Sequence, residues 1–324
     1  MKVFTSNYHI SVNPTLVDDL LAIGMEVIMP SQDFAKKRIE FFAPNDEHTG
    51  KGVRMIEYRE FLQIPEPIVI ITPCMHHIED FERLYVDRGR KDVMVYLTAN
   101  SDAKNWYPHK MDYVMSHDLH LHRNGDIKYK ILYFNKPTVT VKPKTEAELR
   151  RSFDENKLKL FINNFDQPGF EPEYQAAQKL KRMWFTETGV ELPFYGYGMP
   201  DGWPQPPETH KLMVDCKFNI VFKRRETWGQ MVNESMMLGT PCVFLEEFIY
   251  STFEEYLITN DTAIVAKTVE EAVKRMKEMT WEQYQSLVNE AYSQSQMYCN
   301  DDVRRQKLAW LFDKVARDDK FMVK

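Results

Sequence analysis

Short apolar runs rich in β-branched residues alternate along the chain with segments whose apolar positions recur every three to four residues. The first pattern predicts buried strands and the second amphipathic helices, taken in turn. The run KVFTS is followed by NPTLVDDLLAIG and then MEVIMP. Asn13 suits the cap of a helix that begins at Pro14, Leu16, Leu20 and Ile23 share one face, and Gly24 suits the left-handed residue that ends it. PIVIITP (67–73), DVMVYLTA (92–99), DYVMS (112–116) and KILYFN (130–135) read as further strands. Continuous apolar runs of this length belong to parallel sheets covered on both faces.

Between 136 and 156 the pattern breaks into KPTVTVKPKTEAELRRSFDEN, with two Lys-Pro pairs and a capping box from Thr145 to Glu148. A connection followed by a short exposed helix fits this stretch, and the domain boundary is expected near residue 150. The alternation then restarts with LKLFINNF, a helix over EPEYQAAQKLKRMWFTETG, the strand ELPFYGYG, a helix around PETHKLMVDC and the strand KFNIVFK. PCVFLE and TAIVA are strands on either side of a helix near YSTFEEYLI. TVEEAVKRMKEM carries Val269, Ala272, Val273 and Met276 on one helical face. Two long helices, from Trp281 and Asp301, end the sequence. The expectation is an α/β protein of two Rossmann-like, doubly wound domains, 1–150 and 151–300, with a cleft between them and a closing helix over 301–324 crossing back to the first. Sheets of this kind bind ligands at the carboxyl ends of their strands.

A length of 324 residues suits two domains, and 43% apolar with 28% charged residues describes a chain that buries a core. The formal charge of -6 argues against a general polyanion binder working through counterion release. Cys74, Cys216, Cys242 and Cys299 have no C-x-x-C spacing and are expected as buried, reduced thiols. No apolar segment of signal-peptide or membrane-spanning length is present, so a soluble, cytoplasmic protein without membrane insertion is expected.

The chemistry concentrates in KRRETWGQMVNESMMLGTPCVF, residues 223–244. A strand feeding a helix through Gly229 presents free N–H groups and the positive end of the helix dipole, which favour a phosphate. Lys223, Arg224 and Arg225 stand beside that terminus. Glu226 lies before it and Glu234 inside the helix, so an acid at each end of a phosphate site suggests acceptors for the hydroxyls of two sugars flanking a diphosphate.

With Gly239-Thr-Pro241 trailing, this stretch resembles the E-x7-E motif of retaining glycosyltransferases of the GT-B fold, especially family 4. The resemblance implies that Glu234 holds the ribose hydroxyls of a UDP- or GDP-sugar and that Glu226 faces the donor sugar. Thr227, Trp228, Gly229, Gln230 and Met231 would contact sugar and phosphate, with Lys223 or Arg225 neutralising the diphosphate. Relatives carry a Gly-Arg pair and a lysine after the first strand of this domain, where this chain has Asn163 and Asn164. Asn163 and Gly198 complete the expected donor site. In the first domain, His9 follows the first strand and His76 follows IVIITP, where the family places groups near the transferred sugar. Trp228, Tyr195 and Tyr197 are candidates for stacking on a base or sugar. His117, His120 and His122 form H-x-x-H-x-H, but a metal site needs further converging ligands, and the family requires neither metal nor cofactor.

The resemblance implies transfer of a sugar from a nucleotide donor to a hydroxyl acceptor, with retention of configuration. The first helix, LVDDLLAIG, is acidic where lipid-acting relatives carry a basic one, so a soluble glycan or small molecule is the expected acceptor, with a hydroxymethylated DNA base as the alternative. A nucleotide-sugar-binding protein without transfer activity and a sugar-nucleotide epimerase are the other readings. Oligomeric state is not legible in the sequence.

Overall fold

Continuous apolar runs leave both faces of a strand in need of cover, and every strand pairing among the described residues is parallel. The computed structural model describes residues 1–6, 13–34, 52–72, 78–97, 112–116, 130–133, 141–162, 165, 168–204, 208–223, 230–249 and 257–322. Two units are present, one formed by 1–139 with 299–324 and the other by 140–298.

The first unit holds a seven-stranded sheet in the order β3-β2-β1-β4-β5-β6-β7. Its strands are β1 (Lys2–Phe4), β2 (Glu26–Pro30), β3 (Arg54–Ile56), β4 (Val69–Thr72), β5 (Val93–Leu97), β6 (Tyr113–Ser116) and β7 (Lys130–Tyr133). Among the described residues its helices before β7 are α1 (Asn13–Ala22), α2 (Tyr58–Gln63) and α3 (Ile78–Asp87). Side chains alternate between the faces as the pleat requires: Val3, Val69 and Val95 join Leu16 and Leu20 of α1, whereas Phe4, Ile70 and Met94 join Phe61 of α2 and Phe81 of α3. The sequence reading missed β3, α2 and α3. β3 has three residues and α2 six, too few to display a period. α2 is instead fixed by a reciprocal Glu57–Glu60 capping box and by buried Arg88, which donates to the Phe61 and Ile64 carbonyls and to Asp92.

The second unit holds a five-stranded sheet in the order β12-β11-β10-β8-β9. After α4 (Glu146–Glu155) come β8 (Leu158–Phe161), α5 (Glu171–Thr188), β9 (Phe194–Tyr195), α6 (Glu208–Val214) and β10 (Phe218–Ile220). α7 (Gln230–Leu238), β11 (Cys242–Leu245), α8 (Glu246–Ile249), β12 (Ala263–Ala266), α9 (Val269–Glu278) and α10 (Trp281–Cys299) follow. Only two residues of ELPFYGYG are strand, because Gly196 and Gly198 take positive φ and turn the chain back, with Gly196 N–H donating to the Gly202 carbonyl at 2.8 Å. Of the helix expected near YSTFEEYLI, 250–256 lie outside the described residues. Val269, Ala272, Val273 and Met276 are buried in the core of this unit as their spacing predicts.

The division between units falls at Thr140, ten residues before the boundary expected from composition. Lys144 explains the difference. Its backbone N–H donates to the Leu238 carbonyl at 2.9 Å, and its ammonium reaches the Cys216 carbonyl at 2.6 Å, so the chain is committed to the second unit before α4 begins. At the other end α11 (Asp301–Ala316) sets Leu308, Leu311, Phe312 and Val315 on the α1 side of the first sheet, and α12 (Asp319–Met322) follows it. Arg304 and Asp19, each 1% exposed at the side chain, pair at 3.1 Å, with Arg305 and Asp301 joining them. Burial raises the Asp19 carboxyl above the ordinary carboxylate range despite both arginines. Cys216 and Cys242 are buried thiols that take part in no disulfide. No helix among the described residues is long and apolar enough to cross a membrane.

Removing one partner of a buried ion pair leaves an uncompensated charge, so Arg304→Ala should cost about 3–5 kcal/mol in urea unfolding. Arg305→Ala, at a side chain 36% exposed, should cost about 1 kcal/mol or less.

Burial also pushes the Lys144 ammonium down to about 7 and that of Lys217 to about 8, from 10.5. Above pH 7 the unfolded chain therefore holds protons that the folded chain has released, and stability rises with pH. Cys216, pushed up to about 12 from 9, opposes this rise only above pH 9. The urea midpoint should accordingly increase between pH 7 and 9, and the increase should shrink in Lys144→Met; an unchanged increase in that variant would refute the assignment.

Candidate functional site

The second sheet changes direction at β8: the chain moves outward to β9, then returns to build β10, β11 and β12 on the other side. Open parallel sheets bind ligands where such a reversal makes loops diverge from adjacent carboxyl ends. Those ends belong here to β8 and β10, paired from Leu158 with Phe218 to Leu160 with Ile220. Beyond β10, Val221, Phe222 and half-buried Lys223 lead toward the amino end of α7.

α7 is buried on every side from Val232 to Leu238, including the polar run Asn233, Glu234 and Ser235. Buried polar groups need partners. The Ser235 hydroxyl donates to the Thr240 carbonyl at 2.8 Å. Glu234, 4% exposed, has Oε2 at 3.2 Å from Nε2 of His210 on α6. α6 is itself anchored at both ends: the Thr209 hydroxyl donates to the Pro204 carbonyl at 2.9 Å, and the Lys159 ammonium, rising from β8, donates to the Leu212 carbonyl at 3.1 Å. An apolar seam of Phe161, Met213 and Leu238, with Met231 and Tyr195 against it, packs α6 and α7 over the ends of β8 and β9. Phe161 and Tyr195 stack with ring centroids 5.4 Å apart, and burial raises the Tyr195 phenol above its ordinary pKa.

The Gly239-Thr-Pro segment ends α7. Gly239 has φ +82°, its N–H donates to the Met236 carbonyl, and the Thr240 N–H donates to the Ser235 carbonyl at 2.8 Å, the paired bonds of a Schellman stop. Pro241 then starts the next extended segment.

Among the expected donor residues the structure brings Glu234, Met231 and the start of α7 at Gln230 to one end of the sheet, with Lys223 on the segment from β10. Met231 serves as a packing residue in the apolar seam. Gly198 takes φ +78° in the turn after β9, beside Tyr197 and Trp203, which stand 56% exposed with rings edge to face at 5.2 Å. Glu226, Arg225, Thr227, Trp228, Gly229 and Asn163 lie outside the described residues, as do His9, His76, His117, His120 and His122. In the first unit the reversal falls between β1 and β4. Thr5, just after β1, and Thr72, the last residue of β4, carry buried hydroxyls that have no hydrogen-bond partner among the described residues. No cluster of three or more metal-ligating side chains occurs among the described residues.

His210 was missed by the sequence reading. It lies 24 residues before Glu234, on a short helix without motif spacing, and its only signal was a histidine next to the apolar face of PETHKLMV.

No family model and no curated protein matches this sequence. Solved structures do. The DNA-modifying enzyme β-glucosyltransferase, solved with and without its substrate uridine diphosphoglucose, is 13% identical with a TM-score of 0.54 over 98% of this chain and all of that one. TarM is 11% identical with a TM-score of 0.57 over 76% of this chain, which spans only 55% of the length of TarM. A Listeria monocytogenes protein assigned as a UDP-N-acetylglucosamine 2-epimerase is 10% identical with a TM-score of 0.58 over 98% of each chain. At such identities the likeness is one of fold: two parallel α/β units of the GT-B type.

Because the gap around Gly239 is wide enough for a methyl group, with a Cβ 3.4 Å from Val288 and 3.5 Å from Leu149, the cost of Gly239→Ala is that of its left-handed backbone. Thermal or urea unfolding should show a loss of about 1–2 kcal/mol.

Proposed function

We propose that this chain transfers a sugar from a nucleotide-sugar donor, a UDP-sugar before a GDP-sugar, to a hydroxyl acceptor, with retention of configuration, as a relative of family 4 glycosyltransferases. The observation that carries this reading is the buried carboxylate of Glu234 on a helix that follows the strand at the sheet's reversal point. A carboxylate is a strong acceptor for the paired hydroxyls of a ribose, and the amino end of α7 offers N–H groups and dipole to the adjoining diphosphate. Lys223 and Arg225 would add fixed positive charge as the leaving diphosphate gains negative charge, and Glu226 would face the donor sugar. The chain would act by holding the donor and by electrostatic stabilisation of its departure.

β-Glucosyltransferase was solved with uridine diphosphoglucose, which favours uridine among donor bases and keeps a modified DNA base beside glycans and small molecules as acceptor. The likeness to a UDP-N-acetylglucosamine 2-epimerase supports a second reading in which the same donor is isomerised.

A thermal-shift screen of nucleotide sugars should identify a selective stabilising ligand. Glu234→Ala should weaken its binding by roughly 10- to 100-fold, the worth of a charged hydrogen bond. Unchanged affinity would remove the basis of the assignment. Prolonged incubation then separates the reactions: free nucleotide signals transfer or hydrolysis, an isomerised sugar epimerisation, and stabilisation without turnover a binding protein.

A further inference from the structure

We infer that His210 is a positioning residue for the donor: its Nε2–H holds Oε2 of Glu234 and thereby fixes the carboxylate plane that selects a ribose over a deoxyribose. The inference rests on the donor site proposed above and adds a residue that no motif contains.

A glutamate on the second turn of a helix points back toward the amino end, over the first turn. Three rotatable bonds separate its carboxylate from the backbone, so burial alone sets the position but not the rotation of the group. The rotation matters because two vicinal hydroxyls must meet two acceptor oxygens at once. The 3.2 Å contact from His210 Nε2 to Oε2 constrains that rotation, since an imidazole in the tautomer protonated at Nε2 can donate only along its ring plane. His210 is well placed for this service: its side chain is 16% exposed and that of Glu234 5%, and α6 is fixed at Pro204 and at Lys159. The Thr240 hydroxyl, donating to the Met213 carbonyl at 2.8 Å, ties the end of α7 directly to α6. The helix that carries the histidine and the helix that carries the glutamate are therefore locked to each other, which is the condition for one side chain to orient another.

A purely structural role for His210 would lower stability and weaken all ligands alike, whereas a positioning role acts on the ribose diol alone. The test is calorimetric binding of UDP, GDP and their 2′-deoxy counterparts to the full chain. The wild-type protein should bind the ribonucleotide about ten times more tightly than its deoxy form. His210→Phe should lose most of that ratio while keeping deoxynucleotide affinity, and that retained affinity shows the site is folded. His210→Gln, which keeps an N–H donor, should retain the ratio. In a Glu234→Gln background His210→Phe should change nothing further. A wild-type ribo-to-deoxy ratio in His210→Phe, with Glu234→Gln still weakening the ribonucleotide, would overturn the role of His210 and leave the donor site standing. Loss of deoxynucleotide affinity in His210→Phe equal to the loss for the ribonucleotide would also overturn it. Wild-type nucleotide affinity in Glu234→Gln, or no binding of UDP or GDP to the wild type, would overturn the donor site and this inference with it.

Discussion

All-parallel pairing is the constraint on which the rest of this structure depends. Parallel strands place all their carboxyl ends at one edge, and each must be joined to the next by a crossover segment. Where the strand order reverses, two successive crossovers depart to opposite faces and leave their loops apart. In the second unit this happens between β8 and β10, and in the first between β1 and β4. Among the described residues Glu234 and His210 lie on the helices packed over the second unit's reversal, where the topology opens the backbone.

At the second unit's reversal the sequence has put a polar run into a helix buried on all sides. Asn233, Glu234 and Ser235 could be replaced by apolar residues if packing were the only demand on α7. A buried carboxylate costs several kcal/mol in lost hydration unless hydrogen bonds replace the water. His210 supplies one of them, and the anchoring of α6 makes that bond a fixed feature. By contrast, the Gly239-Thr-Pro segment, which contributed to the resemblance with glycosyltransferases, has a complete local explanation as a Schellman stop. The specific part of the motif is therefore the acid inside the helix, and the glycine behind it speaks for the fold.

What the sequence disclosed follows the same division. Strand runs such as VIIT and VMVYL, the Gly24 stop of α1 and the buried face of α9 are short-range patterns, and all are present in the structure. The α/β class and the doubly wound sheets followed from them. β3, α2 and the early division at Thr140 were not legible, because each is held by distant partners: β2 for the strand, Arg88 for the short helix, and Leu238 and Cys216 for Lys144. The pairing of Asp19 with Arg304 spans 285 positions and the contact of His210 with Glu234 spans 24, so neither leaves a periodic trace. Glu234 was legible as a candidate through its spacing from Glu226, but its burial and its partner were not.

The two readings of the reaction share one physical core. Transfer and epimerisation at a nucleotide sugar both require the nucleotide to be held while the bond to its diphosphate weakens, and a helix amino end with a buried acid behind it serves either. Structures as different in chemistry as β-glucosyltransferase and an assigned 2-epimerase match this fold to similar extents, as expected when one fold carries different chemistries. The residues expected at the sugar, Glu226, His9 and His76, lie outside the described residues, whereas on the proposed reading Glu234 and His210 would hold the nucleotide. A change at the first set should alter which product forms, and a change at the second should alter only how tightly the donor is held.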